Sequence, residues 1–477
     1  MSSTLLHGTT MKQFRHGAET AIANPVLQEA LDGATVRFTA ARYRALEALP
    51  GAEALRDHFK AIRSATLANL AEHLATFERN ATANGAQVHF AADGAEACQI
   101  VLDICQRHNA KRVTKGKSMA TEEVKLNDAL AAAGLVAVET DLGEWLIQQA
   151  GTPPSHIIAP AIHMTKAEAA DLLSKVAGYA VDGESIPAMT AEARRLLREE
   201  FIRADVGVTG GNMAVAETGS VVLVMNEGNG RMVTSLPKVH IALIGIEKVA
   251  PDWDAAAVWL SLLARSATGQ PMSIYTTVVS GPKRADDPDG PDEVHIVFLD
   301  NGRSKLIGTH YEEALQCIRC GACLNACPVY REAGGHAYGS PYSGPIGAII
   351  TPLLFGLENY PALPNASTLC GACKDVCPAR IDIPRILLAL RAEAVERGLS
   401  SPIENVAEGI AGFVLRNPGL FGAGTAVGRL VQLPLVKDGG IHLPGALNPA
   451  GERALPKLAA KSFHELWAAG IDEDGAK

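Results

Sequence analysis

Apolar residues recur at three- and four-residue spacing from residue 12 to about residue 82. The clearest stretch is AEALRDHFKAIRSATLANLAEHLATFERNA, whose apolar positions fall on one face of a helix. The pattern predicts a helical region and indicates no function for it.

From about 86 to 302 the pattern changes to short β-rich runs that alternate with helical stretches. The runs predicted to be strands are AQVHFA, GLVAVET, HIIAPAIH, SVVLVM, VHIALIGI, SIYTTVV and EVHIVFL. One helix between them, TKAEAADLLSKV, starts with Thr165 and Glu168 at capping-box spacing. This alternation favours an α/β domain with a largely parallel sheet.

Helical patterns return after residue 304. GPIGAIITPLLFG and DIPRILLALRAEAVERG are predicted helices, the second with Pro384 in its first turn, where proline is tolerated. The apolar stretch from Gly409 to Val436 is interrupted at 416–418 and at Arg429, which favours a packed helix pair over a membrane span. A short helix is expected over KSFHELWAAG and fraying over the final IDEDGAK. The predicted domains are 1–85 (helical), 86–303 (α/β), 304–398 (all-α) and 399–477 (small C-terminal domain).

Composition narrows the function classes. The chain has 477 residues, 47% of them hydrophobic, and a net charge of -9, as in a globular protein. The acidic balance argues against a nucleic-acid surface, because phosphate binding needs a basic excess. The first residues contain no apolar run of signal-peptide length, so a cytoplasmic protein is expected. Cys98 and Cys105 lie seven apart on a predicted helix and are expected to be buried free thiols.

The other seven cysteines form two related runs. The first, CIRCGACLNACP, places Cys317, Cys320, Cys323 and Cys327 at the C-x2-C-x2-C-x3-C-P spacing by which bacterial ferredoxins hold cubane iron–sulfur clusters. Three closely spaced thiolates converge on one cluster, and the fourth points to the other. Zinc is the alternative for any C-x2-C pair, but the doubled pattern has no natural zinc interpretation.

The second run, STLCGACKDVCP, has only Cys370, Cys373 and Cys377, with Ser367 at the position of the first cysteine. Crossed ligation predicts one cluster on Cys317, Cys320, Cys323 and Cys377. The other cluster receives Cys327, Cys370 and Cys373. Its fourth ligand is Ser367, water or a partner group, or else the site holds three irons. The cofactors predicted are thus two [4Fe-4S] clusters, the second alternatively [3Fe-4S] or with a non-cysteine ligand.

Basic and glycine-rich segments offer weaker signals. Positive charge at Arg319, Lys374, Arg380 and Arg385 is expected to raise the cluster potentials or to dock a partner, unless these are solvated surface residues. The segment Gly207–Arg231 has glycines that permit close backbone approach to an anion, although they also suit ordinary turns. KGKSM, from Lys115 to Met119, follows a predicted short strand and could neutralise an anion, but it lacks P-loop spacing, and a solvated turn is the favoured interpretation.

The chain resembles the lactate utilisation protein B family of bacterial iron–sulfur proteins over nearly its whole length. The resemblance rests on the doubled cysteine run with its missing cysteine, on ETDLGEWLIQQAGTPPSHIIAPAIH, on GVTGGNMAVAETGSVVLVMNEGNGRMVTSLPKVHIALIGIEKV and on LPKLAAKSFHELW. It implies a LUD domain, similar in fold to the sugar-phosphate isomerase and coenzyme A transferase group. It also implies two 4Fe-4S clusters on the seven cysteines, and electron transfer during oxidation of L-lactate to pyruvate together with two sister proteins.

The sequence leaves three functions open. The first is an electron-transfer subunit, with sister proteins and an electron acceptor, soluble or at a membrane, as partners. The second is a self-contained oxidoreductase that binds a small carboxylate or phosphate in the LUD domain. The third is a redox sensor or scaffold. No hydride-transfer site is apparent, since GVTGGNMAVAETGS lacks the G-x-G-x-x-G spacing, and catalytic residues are unassigned. Glu217 has a setting loosely similar to the nucleophile of coenzyme A transferases, but a structural glutamate at a turn is favoured.

Overall fold

The computed structural model describes residues 8–400, 402–442 and 455–470. The chain forms two compact units, the first ending at Arg397 and the second beginning at Gly398. The final IDEDGAK, for which fraying was predicted, lies outside the described residues.

Four helices open the first unit, as the apolar periodicity predicts. Their bounds are Met11–Ile22 (α1), Pro25–Glu47 (α2), Ala52–Ala68 (α3) and Leu70–Ala83 (α4). Thr10 starts α1 through a capping box with Gln13. Asn24 caps α2 directly before Pro25, whose fixed φ suits a first helical turn.

Two sheets follow in the first unit. The strands are Gln87–Ala91 (β1), Arg112–Lys115 (β2), Val136–Glu139 (β3), Val206–Thr209 (β4), Met213–Val215 (β5), Ser220–Met225 (β6), Val239–Gly245 (β7), Val249–Ala250 (β8), Tyr275–Val279 (β9) and Glu293–Leu299 (β10). The central sheet has six strands in the order β1-β10-β7-β4-β2-β3, and all its pairs are parallel. A second sheet, β8-β5-β6-β9, is mixed. The predicted α/β fold with a largely parallel sheet is confirmed.

One predicted strand is wrong. HIIAPAIH, residues 156–163, forms bends and turns. The Nδ1 atom of His156 accepts the N–H groups of Ile158 at 3.0 Å and Ala159 at 3.1 Å. Pro160 has no N–H to donate, so three successive residues of this segment have no N–H available for strand pairing. Strand β2 agrees with the short strand expected before KGKSM, whereas β4, β5 and β8, which the sequence pattern did not reveal, are only two to four residues long.

Helices cover the sheets. They are Gly94–Arg107 (α5), Met119–Glu123 (α6), Leu126–Ala132 (α7), Leu142–Ala150 (α8), Lys166–Ala177 (α9), Ile186–Ile202 (α10), Asn229–Ser235 (α11) and Trp253–Ala267 (α12). The predicted capping box of Thr165 and Glu168 starts α9. On α5, Cys98 and Cys105 are buried free thiols in the core, as expected, and burial raises the pKa of Cys105 to about 12.

The region of the cysteine runs is helical. Its α-helices are Ala322–Ala326 (α13), Pro328–Ala333 (α14), Gly344–Phe355 (α15), Ala372–Val376 (α16) and Ile383–Glu396 (α17). Both longer helices, α15 and α17, were predicted, and Pro384 lies in the first turn of α17. All of residues 304–397 are described, and they contain no strand. The predicted all-α character of this region is confirmed.

The second unit contains the predicted helix pair, Pro402–Arg416 (α18) and Pro418–Val431 (α19). Three two-residue strands follow, Val436–Lys437 (β11), Gly440–Ile441 (β12) and Leu455–Pro456 (β13), and then the short predicted helix Phe463–Ala468 (α20). Among the described residues, no helix combines the length and the apolar character that crossing a bilayer requires.

Candidate metal centre

The two cysteine runs adopt the same local backbone. In the first, Arg319 has φ of 59° and Gly321 has φ of 73°, and a single helical turn, α13, follows. In the second, Leu369 has φ of 56° and Gly371 has φ of 86°, and α16 follows. Left-handed backbone is uncommon for residues such as arginine and leucine, so its repetition at matching positions marks one structural unit used twice.

Backbone N–H groups point at the sulfur atoms of both runs. The N–H of Arg319 donates to Cys317 Sγ at 3.4 Å, and the N–H of Tyr330 donates to Cys327 Sγ at 3.5 Å. Backbone hydrogen bonds from Ile381 and Ala379 to Cys377 favour its thiolate, because they work to lower the pKa of that thiol. Such donors also stabilise negative charge on cluster sulfur, as an iron–sulfur site requires.

One group of cysteines draws on both runs. Cys317, Cys320, Cys323 and Cys377 line a single small cavity, whose other walls include Ile346. Burial, together with the charges of neighbouring cysteines, raises the pKa of Cys320 to about 12 and that of Cys377 to about 11. Buried thiols of this kind become thiolates when a metal replaces their protons. The donor set therefore fits a metal cluster.

The second group contains Cys327, Cys370 and Cys373. Burial raises the pKa of Cys373 to about 12, and the neighbouring Cys327 and Cys370 raise it further. Cys327 and Cys373 are buried, whereas Cys370 is exposed. Cys373 is close enough to Cys323 of the first group for its charge to raise the pKa of that thiol, so the two groups lie side by side. The second group is thus more open to solvent than the first.

Ser367 occupies the place of the missing sulfur. Its Oγ accepts the N–H of Leu369 at 3.1 Å, just as Cys317 Sγ accepts the N–H of Arg319. The guanidinium of Arg391 donates to the Ser367 carbonyl oxygen at 3.1 Å and holds the loop in this position. The Ser367 hydroxyl therefore has the same position in the second run as the Cys317 thiol has in the first.

Three of the four basic residues singled out from the sequence form ion pairs at the surface. Lys374 pairs with Asp382 at 2.5 Å, Arg380 with Glu53 at 2.6 Å and Arg385 with Glu313 at 2.8 Å. Their charge is therefore largely neutralised. Arg319 is different, because it is buried, pairs with Glu247 at 3.3 Å and stacks on Tyr342.

Buried arginines from the opening helices bind the second cysteine run and the segment just before the first, and the sequence pattern did not reveal them. Arg56 on α3 donates to the Cys377 carbonyl oxygen at 2.8 Å, and Arg42 on α2 donates to that of Val376 at 2.6 Å. Arg63 on α3 donates to the carbonyl oxygens of Val249 at 2.9 Å and Leu315 at 3.1 Å. Arg56 and Arg63 are seven residues apart, two turns of one helix face, and that spacing was the signal available.

A larger cavity, of about 370 Å³, lies at the carboxyl ends of β2, β4 and β7. Both weak ligand signals meet there, since Lys117 of KGKSM and Gly210 of the glycine-rich segment line it, as does Arg319. The interpretation of KGKSM as a solvated turn is therefore wrong. Lys115 is fully buried in an ion pair with Glu139 at 2.5 Å.

Buried charges form the floor of this cavity. Burial raises the pKa of Glu247, but Arg303 and Arg319 outweigh that effect and lower it to about 2. Arg303 contacts Glu247 and Glu123 at 2.7 Å each. Burial lowers the pKa of Lys248 to about 7. Glu217 lies outside the lining and accepts the Trp253 N–H at 3.1 Å, which is the structural role favoured for it.

Comparison with known proteins agrees with this architecture. Residues 74–299 match the LUD domain family and residues 313–381 match the family described as 4Fe-4S dicluster domain, which favours iron–sulfur over zinc. A crystal structure of a DUF162 family protein from Deinococcus radiodurans is 16% identical and covers 48% of this chain and 98% of its own, but its TM-score of 0.28 establishes no common fold.

Similar proteins span nearly the whole chain. Lactate utilization protein B of Shouchella clausii is 42% identical over 466 residues, 97% of this chain and 98% of that protein. Its namesake in Bacillus subtilis is 42% identical over 95% and 96% of the two chains. The uncharacterized electron transport protein YkgF of Escherichia coli is 41% identical over 96% and 97%. Identity of this extent shows that the chain belongs to the lactate utilization protein B family.

Proposed function

We propose that this chain is an iron–sulfur electron-transfer subunit that acts in the oxidation of L-lactate to pyruvate. The observation that carries the proposal is the meeting of cysteines from both runs on one cavity, with a second group beside it. When bound, two iron–sulfur clusters supply one-electron redox chemistry. The names of the similar proteins, lactate utilization and electron transport, support the pathway.

The proposed ligands follow the crossed arrangement. Cys317, Cys320, Cys323 and Cys377 hold the first cluster, because they surround the same cavity. The second cluster is held by Cys327, Cys370, Cys373 and Ser367, since these complete the symmetric partner of the first group. Backbone N–H groups at Cys317 and Cys327 of the first run and at Cys377 of the second stabilise the added negative charge of the reduced state.

Anaerobic reconstitution with iron and sulfide, followed by iron counting and EPR, tests the cluster content. Two clusters give about eight irons per chain and cubane-type signals on reduction. Fewer than about six irons, or no such signal, would sink the two-cluster proposal.

A second candidate function is a self-contained oxidoreductase with a small carboxylate or phosphate in the LUD domain. The cavity lined by Lys117, Gly210 and Arg319 favours it, because it lies beside the first cysteine group. The two functions are separated by adding L-lactate to the isolated, reconstituted chain. Bleaching of the visible absorbance by lactate alone supports the oxidoreductase, whereas bleaching only after the sister proteins are added supports the electron-transfer subunit.

A further inference from the structure

The cavity at the sheet edge has the position and size of a ligand site. The loops that follow β2, β4 and β7 line it, through Gly116–Ser118, Gly210–Asn212 and Glu247–Lys248. Ligands of open parallel sheets bind outside the carboxyl ends of the strands, which is this edge. Its volume of about 370 Å³ lies within the range of small-molecule sites.

Its cationic side chains are incompletely neutralised. Of the lining cations, Arg303 is taken up by Glu123 and Glu247. Across the described part of the chain, no carboxylate oxygen lies within 4.0 Å of the Nζ of Lys117 or of Lys248, although Lys248 is only 8% exposed. Lys117 Nζ donates to the Ile158 carbonyl oxygen. Burial disfavours the charged form of a lysine such as Lys248, and a bound anion offsets that cost by favouring the charged form.

A buried hydrogen-bond donor without a partner also indicates that the cavity binds an anion. Arg319 lines the cavity and is 7% exposed, and its Nη1 has no hydrogen-bond partner among the described residues. Its other terminal nitrogen, Nη2, donates to Glu247 at 3.3 Å. Buried donors are almost always satisfied in native proteins, so this one indicates a missing acceptor.

Two of the three acidic residues that line the cavity already have partners among the described residues. Asp141 caps α8 by accepting the N–H of Glu144 at 3.1 Å, and Glu247 is held by Arg303 and Arg319. Glu227 is the remaining carboxylate of the lining. Lys117, Lys248 and the unpaired guanidinium nitrogen of Arg319 therefore line the cavity together with one carboxylate, Glu227, that has no cation within 4.0 Å among the described residues.

We propose that this cavity binds a small organic oxyanion, a carboxylate or a phosphate, on Lys117, Lys248 and Arg319. Arg319 lies between Cys317 and Cys320 in the sequence and also lines the cavity. An anion bound to Arg319 is therefore close to the first cysteine group. Negative charge there disfavours an added electron, so the anion binds more weakly when that centre is reduced. This coupling rests on the proposed function, whereas the binding itself does not.

Calorimetric titration of the full, reconstituted chain tests the binding, with L-lactate, pyruvate and inorganic phosphate as probes and chloride as the control anion. At least one oxyanion is expected to bind once per chain. K117Q and K248Q each weaken it roughly tenfold or more, since each removes one positively charged contact to the anion. K283Q leaves it unchanged, because Lys283 forms a surface pair with Asp292.

Binding by none of the three probes, or unchanged binding in both K117Q and K248Q, overturns the site. Iron content and thermal unfolding of each variant show whether it has folded. If one variant fails to fold, the other carries the test, and if both fail, mutual displacement of the probes on the wild-type chain replaces it, since independent binding contradicts a single site.

Repeating the titration on the electrochemically reduced protein tests the coupling. Roughly tenfold weaker binding to the reduced form is expected, which equals a lowering of the potential by about 59 mV when the anion saturates the site. Equal affinity in the two states overturns the coupling. A low iron count overturns the proposed function instead and leaves the binding result intact.

Discussion

A single side chain distinguishes the two otherwise matching cysteine runs. Ser367 Oγ and Cys317 Sγ accept N–H groups from the residue two positions on, and the flanking backbones have nearly the same φ. A hydroxyl is a harder and more basic ligand than a thiol. The second group, which also contains the exposed Cys370, is therefore expected to be the more labile of the two.

Replacing Ser367 tests whether its oxygen is a ligand. We expect S367C to raise the reduction potential of the second centre by roughly tens of millivolts and to slow its loss of iron, because a thiolate replaces an oxygen. S367A is expected to alter the EPR spectrum of that centre. Redox titration followed by EPR measures both effects. T368A, at the exposed neighbour, is the control, and an S367A spectrum identical to the wild type excludes the serine as ligand.

His240 predicts a pH dependence of stability. It is fully buried, and burial, followed by the nearby His295, lowers its pKa from 6.5 to about 3. Between pH 6.5 and about pH 3, His240 is therefore protonated in the unfolded chain and neutral in the folded chain. Stability from this residue is thus complete above pH 6.5 and is lost as the pH falls, at about 1.4 kcal/mol per pH unit.

The expected result is that H240Q reduces the difference in unfolding free energy between pH 7 and pH 5 by about 2 kcal/mol. Urea unfolding at the two pH values measures it. The exposed His16 gives the control variant, H16Q, which leaves the difference unchanged. An H240Q protein with the wild-type difference would mean that His240 is protonated in the folded state.

At the scale of elements, the opening helices support the cysteine runs. Arg56 on α3 donates to the carbonyl oxygen of Cys377, and Arg42 on α2 to that of Val376. These bonds join helices that lie 321 and 334 residues earlier in the chain to the second run. The helical region therefore has a part in positioning Cys377 in the first group.

Loss of Arg56 is expected to loosen that support. R56M leaves the Cys377 carbonyl oxygen without its donor, at a cost of about 1–3 kcal/mol, and the first centre should lose iron faster in air or with a chelator. Iron release followed by absorbance measures the rate. R44M is the matched control, since Arg44 is exposed on α2. Equal release rates in R56M and wild type would contradict a positioning role for Arg56.

The sequence predicted elements where the periodic pattern was long, and failed where tertiary contacts decide. Strand β7 and helix α17 follow from their own residues. The stretch 156–163 has strand-like composition, but the His156 side chain takes its backbone donors. Lys117 looked solvated because the covering loops come from distant segments. The cysteine spacing, by contrast, is local and predicts the ligand set without the fold.

At the scale of the whole molecule, the proposed electron-transfer parts are concentrated in the first unit. All seven clustered cysteines, Ser367 and the supporting arginines precede Arg397, where that unit ends. Arg397 itself pairs with Glu358 and with Glu393, which secures the end of α17. The second unit contributes no residue to either cysteine group as proposed.

A chain that ends at Ser400 is therefore expected to fold and to keep the full iron content of the intact protein. The reason is that the ligands, their N–H donors and the arginines that hold Cys377 are all retained. Iron counting and EPR on the truncated and intact proteins, reconstituted side by side, measure this. C373S in the truncated chain provides the comparison for a protein that has lost one centre. If the truncated chain resembles that variant rather than the intact protein, then the second unit supplies a ligand or shields the exposed Cys370, and the proposed ligand set has to be extended beyond Arg397.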